Sequence, residues 1–71
     1  MNKITIITPT FNRAHALPTA FNGLKNQTFK DFFWLILDDG STDNTPQVVE
    51  EFIKTSPFEI IYKKHHNRHK F

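Results

Sequence analysis

The chain has 71 residues, 38% hydrophobic and 23% charged, with a formal net charge of +2. That is one small domain, able to bury only about 60% of the surface its unfolded chain exposes, and too apolar to be disordered throughout. The absence of cysteine excludes a disulfide scaffold and thiolate zinc sites, and no apolar run approaches the roughly 20 residues of a membrane span.

Met1-Asn2-Lys3 passes straight into Ile4-Thr5-Ile6-Ile7-Thr8, a β-branched run with none of the architecture of a signal peptide. A cytoplasmic location is expected. Pro9 lacks an amide hydrogen and favours an extended Thr8, so the run reads as a buried strand that stops there. From Ala14 onward, Leu17, Ala20, Phe21 and Leu24 recur at i, i+3, i+4 and i+7, the spacing of one helix face. Pro18 fits only a first turn. The spacing therefore predicts a helix that begins between His15 and Leu17 and ends at Asn26-Gln27-Thr28. Gly23 inside it is worth about 1 kcal/mol less than alanine.

Phe32 to Leu37 form a continuous apolar run of strand length, the pattern of a strand covered on both faces. It ends at Asp38-Asp39-Gly40-Ser41-Thr42-Asp43, which supplies a turn and a choice of N-caps. A second helix follows, with Pro46 near its start, Val48, Val49, Phe52 and Ile53 on one face, and Glu50 and Lys54 spaced as an ion pair. Ser56-Pro57 breaks it, and Phe58 to Tyr62 reads as a third strand. Residues 63–71 form a basic tail containing Lys63, Lys64, Arg68 and Lys70 with His65, His66 and His69. Such terminal charge runs are ordinarily solvated, so the tail is not read as a nucleic-acid surface.

The order βαβαβ, with connections long enough for helical crossovers, predicts an α/β fold. Its sheet is parallel with strand order 3-2-1, half of a doubly wound, Rossmann-like arrangement. Ligands of such sheets bind beyond the carboxyl ends of the strands. The only glycines are Gly23 and Gly40, so neither a dinucleotide-binding G-x-G-x-x-G nor a P-loop is present.

Three segments are more specific. Thr8-Pro9-Thr10-Phe11-Asn12-Arg13 follows the first strand, Gln27-Thr28-Phe29-Lys30-Asp31-Phe32 leads into the second, and Asp38-Asp39-Gly40-Ser41-Thr42-Asp43-Asn44-Thr45 follows it. In this order and spacing they resemble the N-terminal nucleotide-binding segment of family 2 glycosyltransferases with the GT-A fold, from Lys3 to Tyr62. The resemblance implies that Pro9, Thr10, Phe11 and Asn12, with Asp38 and Asp39, hold the uracil and ribose of a nucleotide sugar. Asp39 is the direct contact, and Asp38 is alternatively a brace for Thr10 or for the helix start. The chemistry of the residues agrees. A carboxylate at a strand end accepts hydrogen bonds from a base N–H or a ribose hydroxyl, and an aromatic face stacks on a base for about 1 to 3 kcal/mol. The same acidic turn also serves simply as a turn and N-cap.

After their third strand, family members commonly carry an asparagine, a glycine pair and a lysine before a helix. Asn67 and Lys70 match in position, whereas Arg68 and His69 stand where the glycines would be. Lys70 is thereby implied to meet the diphosphate. His65 and His69, four apart, lack a third ligand and are not read as a metal site; His15 is read as a surface or capping residue. The resemblance further implies a D-x-D motif holding magnesium or manganese on the diphosphate, and a later carboxylate as base for inverting transfer. The 71 residues contain no D-x-D, so the chain is expected to be an N-terminal fragment that binds no cofactor and is inactive alone, located in the cytoplasm or, when complete, at the inner face of the membrane. Two other readings stay open: a stand-alone nucleotide-binding or receiver-like phosphoacceptor module, the latter using Asp38 or Asp39, and a non-catalytic interaction module. The apolar first strand, an edge in the 3-2-1 order, is also expected to promote self-association.

Overall fold

A computed structural model of the chain describes residues 3–65. The elements run β1 (Ile4–Thr10), α1 (Leu17–Lys25), β2 (Phe32–Asp38), α2 (Thr45–Thr55) and β3 (Glu59–Lys64). The three strands are parallel in the order β1-β2-β3, which is the predicted 3-2-1 order read from the other edge. Trp34 at the centre of β2 stands opposite Ile6 and Ile60, and at the carboxyl end Thr10, Asp38 and Lys64 are in register.

Strand alternation decides where the core lies. Phe32, Trp34 and Ile36 project to one face of β2 and are buried with Leu17 and Phe21 of α1, Val49 and Phe52 of α2, and Phe58. Phe21 stacks on Phe52 with ring centroids 4.3 Å apart and lies 6.2 Å from Trp34. Such offset aromatic contacts add to the burial of large apolar areas. The Trp34 Nε1–H donates to the Thr8 hydroxyl at 2.8 Å, satisfying the one polar atom of a side chain with no exposed surface. Both helices thus cover the same face, as two crossovers of one hand must when successive strands add in one direction.

This geometry corrects two expectations. Among the described residues β2 is covered by helices on one face only: Phe33, Leu35 and Leu37 on its other face are half-buried. β1 is not a buried strand, since Ile4 and Ile7 are each 56% exposed; it occupies an edge, and only Ile6 of its isoleucines packs against the core. The strand also continues through Pro9 to Thr10, because an edge strand has one unpaired side on which a missing N–H does no harm. β3 extends past Tyr62 to Lys64, which draws two lysines of the expected tail into the sheet.

The helix boundaries follow from local chemistry. Pro18 and Pro46 lie in the first turns of α1 and α2, where a missing amide hydrogen is harmless. The Ala16 and Leu17 amides donate to the Arg13 carbonyl and close the turn that leads into α1. At the end of α2 the Ser56 hydroxyl donates to the Phe58 carbonyl at 2.6 Å and accepts the Phe58 amide at 3.0 Å, making the turn into β3. Lys54 pairs with Glu51 at 3.8 Å, not with Glu50 as the spacing suggested; both partners are exposed, and such pairs contribute little. No helix among the described residues is long and apolar enough to cross a membrane.

Candidate functional site

The β1–α1 and β2–α2 loops meet at the carboxyl edge of the sheet. Asn12 has φ 52, a left-handed conformation that asparagine tolerates better than most residues. Its backbone N–H donates to the Ser41 hydroxyl at 2.8 Å, while its side-chain oxygen accepts the amides of Thr42 at 2.8 Å and Asp43 at 3.2 Å. The Ala14 amide in turn donates to Asp43 Oδ2 at 3.2 Å. Each loop therefore supplies acceptors for the other's amides. Gly40, at φ 88, takes the left-handed step that lets the chain turn between Asp39 and Ser41.

Asp38 is completely buried. Its Oδ1 accepts the Ser41 amide at 2.8 Å, and its Oδ2 accepts the Tyr62 hydroxyl. Burial pushes the Tyr62 hydroxyl well above its ordinary titration range, and the hydrogen bond to Asp38 and the charges of Asp38 and Asp43 reinforce this. Asp43 caps α2: its Oδ1 accepts the Thr45 amide at 3.1 Å and the Thr45 hydroxyl. The Thr45 hydroxyl is the main reason that the Asp43 carboxyl is held below the ordinary carboxylate range, against the opposing effect of desolvation. Asn44, the residue at the helix boundary, makes no side-chain cap of its own.

Of the residues singled out from the sequence, Thr10, Phe11, Asn12, Asp38 and Asp39 come together here. The Asp39 amide donates to the Thr10 carbonyl at 2.9 Å, which sets Asp39 beside the Thr10-Phe11 step; Phe11 and Asp39 are half-buried at the rim. Pro9 is exposed one residue earlier in β1. Asp38 does not brace the Thr10 side chain: Thr10 is 5% exposed, and its buried hydroxyl has no hydrogen-bond partner. Asp38 instead ties the β2–α2 loop to β3. Asn12 and Asp38 thus tie the loops together from within, and Asp39 and Phe11 lie half-buried beside them. Lys70, Asn67, Arg68, His66 and His69 lie outside the described residues.

Sequence reasoning missed Ser41, Asp43 and Tyr62 as members of this network. Tyr62 was within reach of register counting, since it stands opposite Ile36, on the helix-covered face that Asp38 shares two residues later.

A divalent cation would need a convergent set of oxygen or nitrogen ligands. Among the described residues no group of three or more His, Asp or Glu side chains converges in this way, and the oxygens of Asp38 and Asp43 already accept protein donors. Among the described residues, these two carboxylates are therefore committed to protein donors. A phosphoacceptor role for Asp38 is disfavoured, because a buried carboxylate with both oxygens occupied cannot reach and attack the phosphorus of a donor.

Comparison with known proteins agrees with this arrangement. The chain matches the family described as Glycosyl transferase family 2 over residues 5–71. A GalNAc(5)-diNAcBac-PP-undecaprenol beta-1,3-glucosyltransferase of Campylobacter jejuni is 43% identical over 54 residues, which are 76% of this chain and 18% of that protein. A poly(ribitol-phosphate) beta-N-acetylglucosaminyltransferase of Staphylococcus aureus is 38% identical over 56 residues, 73% of this chain and 17% of that protein. A teichoic acid poly(glycerol phosphate) polymerase of Staphylococcus epidermidis is 37% identical over 54 residues, 76% of this chain and 8% of that protein. The chain therefore spans less than a fifth of the length of these relatives. No solved structure matches it significantly. With the family match running from β1 past β3, and with the three strands parallel and the motif-bearing loops joined at their carboxyl ends, the chain belongs to glycosyl transferase family 2.

Proposed function

We propose that the loops after β1 and β2 bind the nucleoside diphosphate of a nucleotide sugar, a UDP-sugar. The protein to which this segment belongs would transfer that sugar to an acceptor hydroxyl with inversion. The observation that carries the reading is the pairing of Asp39 with the Thr10-Phe11 step through a 2.9 Å backbone bond. It brings the Asp39 backbone to the Thr10-Phe11 step, on two loops that are cross-tied and so held in shape before a ligand arrives. Asp39 would accept hydrogen bonds from the base or ribose while Phe11 stacks on the base. Two of the relatives are named for transferring a glucosyl or an N-acetylglucosaminyl group, which supports a sugar donor.

Titration of the ¹⁵N-labelled chain with uridine, cytidine, adenosine and guanosine diphosphates tests this. UDP should shift the amides of Thr10 to Asn12 and of Asp39 to Ser41 at the lowest concentration; shifts confined to other parts of the chain would overturn the assignment. The 71 residues alone should transfer no sugar, since among the described residues the carboxylates do not form a cation site that would offset charge on a departing diphosphate. Enzyme-dependent release of UDP from a panel of UDP-sugars with manganese would refute that.

A second reading concerns the open side of the sheet. Among the described residues β1 presents an unpaired backbone edge, with Ile4 and Ile7 each 56% exposed, and no charged side chain interrupts the strand from Ile4 to Thr10. Such an edge is a template for strand addition, and we propose that isolated copies of the chain pair through it.

A further inference from the structure

Tyr62 lies on β3, outside the segments that form the nucleotide surface, and its hydroxyl reaches the one completely buried carboxylate of the site. We propose that Tyr62 is a positioning residue for the nucleotide site: its hydrogen bond to Asp38 fixes the β2–α2 loop and thereby the placement of Asp39. The proposal rests on the nucleotide reading above.

Asp38 has donors from two different elements, the Ser41 amide on Oδ1 and the Tyr62 hydroxyl on Oδ2. Ser41 passes the constraint on, because its hydroxyl accepts the Asn12 amide at 2.8 Å. A continuous chain of bonds therefore runs from β3 through Asp38 and Ser41 to the β1–α1 loop, with Asp39 the immediate neighbour of the carboxylate at its centre. A buried carboxylate oxygen left without a donor is strongly unfavourable. Without the Tyr62 hydroxyl, Asp38 would turn to share the Ser41 amide or admit water, and either change moves the loop. The tyrosine ring has a separate task, packing at the margin of the hydrophobic core. Phenylalanine can perform that task alone, so the two roles are separable.

The test uses the whole chain and two independent readouts. Tyr62 is the only tyrosine, so absorbance near 295 nm in an alkaline titration reports its ionisation alone. In the wild type this ionisation should lie above the ordinary range, with Asp38 and Asp43 the acidic groups facing the hydroxyl. Asp38→Asn should move it downward; an unchanged titration in a folded Asp38→Asn variant would show that the bond is absent in solution and overturn the proposal. For binding, Tyr62→Phe should retain the fold and weaken UDP by about three- to tenfold, the worth of one hydrogen bond. In an Asp39→Ala background the same substitution should have little further effect, because the positioned group is gone; a purely structural role would weaken both backgrounds equally. Equal UDP affinity of wild type and Tyr62→Phe, or full additivity with Asp39→Ala, overturns the positioning role while leaving the nucleotide reading intact. Failure of the wild type to bind UDP overturns both, and the tyrosine titration then still reports whether the Tyr62–Asp38 bond exists.

Discussion

Replacing Asn12 separates backbone strain from hydrogen bonding at the junction of the two loops. The wild-type side chain accepts two backbone amides, from Thr42 at 2.8 Å and Asp43 at 3.2 Å, and the residue sits at φ 52. Each partly exposed bond contributes about 0.5 to 1 kcal/mol net, and a left-handed alanine costs about 1 kcal/mol or more. Asn12→Gly loses the bonds but suits the backbone, so it should destabilise by about 1 to 2 kcal/mol. Asn12→Ala loses the bonds and adds the strain, for a total of about 2 to 3 kcal/mol. Asn12→Asp keeps an acceptor and should fall within about 1 kcal/mol of wild type. A chain of this size has roughly 4 to 10 kcal/mol in all, so the differences are large enough to resolve. Urea unfolding followed by the fluorescence of the single tryptophan, Trp34, at low protein concentration gives the ranking. Equal stability of the glycine and alanine variants would refute the strain argument, and an Asn12→Gly variant as stable as wild type would refute the bonding argument.

Gly23 is exposed in mid-helix, and a methyl group there would meet nothing within 4 Å, so Gly23→Ala should raise stability by about 1 kcal/mol, read as a higher urea midpoint. Stability should decline at both extremes of pH. Asp43 titrates below its ordinary 3.8, so its contribution is present above that pH and is lost as pH falls through the folded value; Tyr62 titrates above its ordinary 10.0, so its contribution is present below pH 10 and is lost as pH rises. Thermal unfolding from pH 2 to 11 should show the alkaline decline shrink in Tyr62→Phe and the acid decline shrink in Asp43→Asn. Ile7→Lys, on the exposed side of β1, should lower the sedimentation-average mass of concentrated samples; a wild type that is monomeric at every concentration would refute edge pairing.

The order of elements was legible because its signals are local. Pro18 and Pro46 mark helix starts, Phe32 to Leu37 form an unmistakable strand, and the crossovers leave little choice of topology. What the sequence concealed were consequences of partnership. The apolar run of β2 suggests two covered faces, yet both helices pack on one, which leaves Phe33, Leu35 and Leu37 half-buried. Ile53 lies on the apolar stripe of α2 but is 49% exposed, because a three-stranded sheet is too narrow to reach the whole stripe. That Thr10, Phe11, Asn12, Asp38 and Asp39 meet at one edge of the sheet was legible from their place after β1 and β2, but their different surroundings were not. Asp38 and Asp39 are chemically identical neighbours, and only strand alternation and the position of Tyr62 turn the first inward as a brace and leave the second at the rim.

Calorimetric titration of UDP into the wild-type chain and into Asp39→Ala tests the nucleotide assignment most directly, with Trp34 fluorescence confirming that both are folded. Saturable binding by the wild type is expected, with a loss of about tenfold or more in the variant, the range for removal of a hydrogen bond to a charged group. Equal affinities, or no saturable binding by a folded wild type, would contradict it.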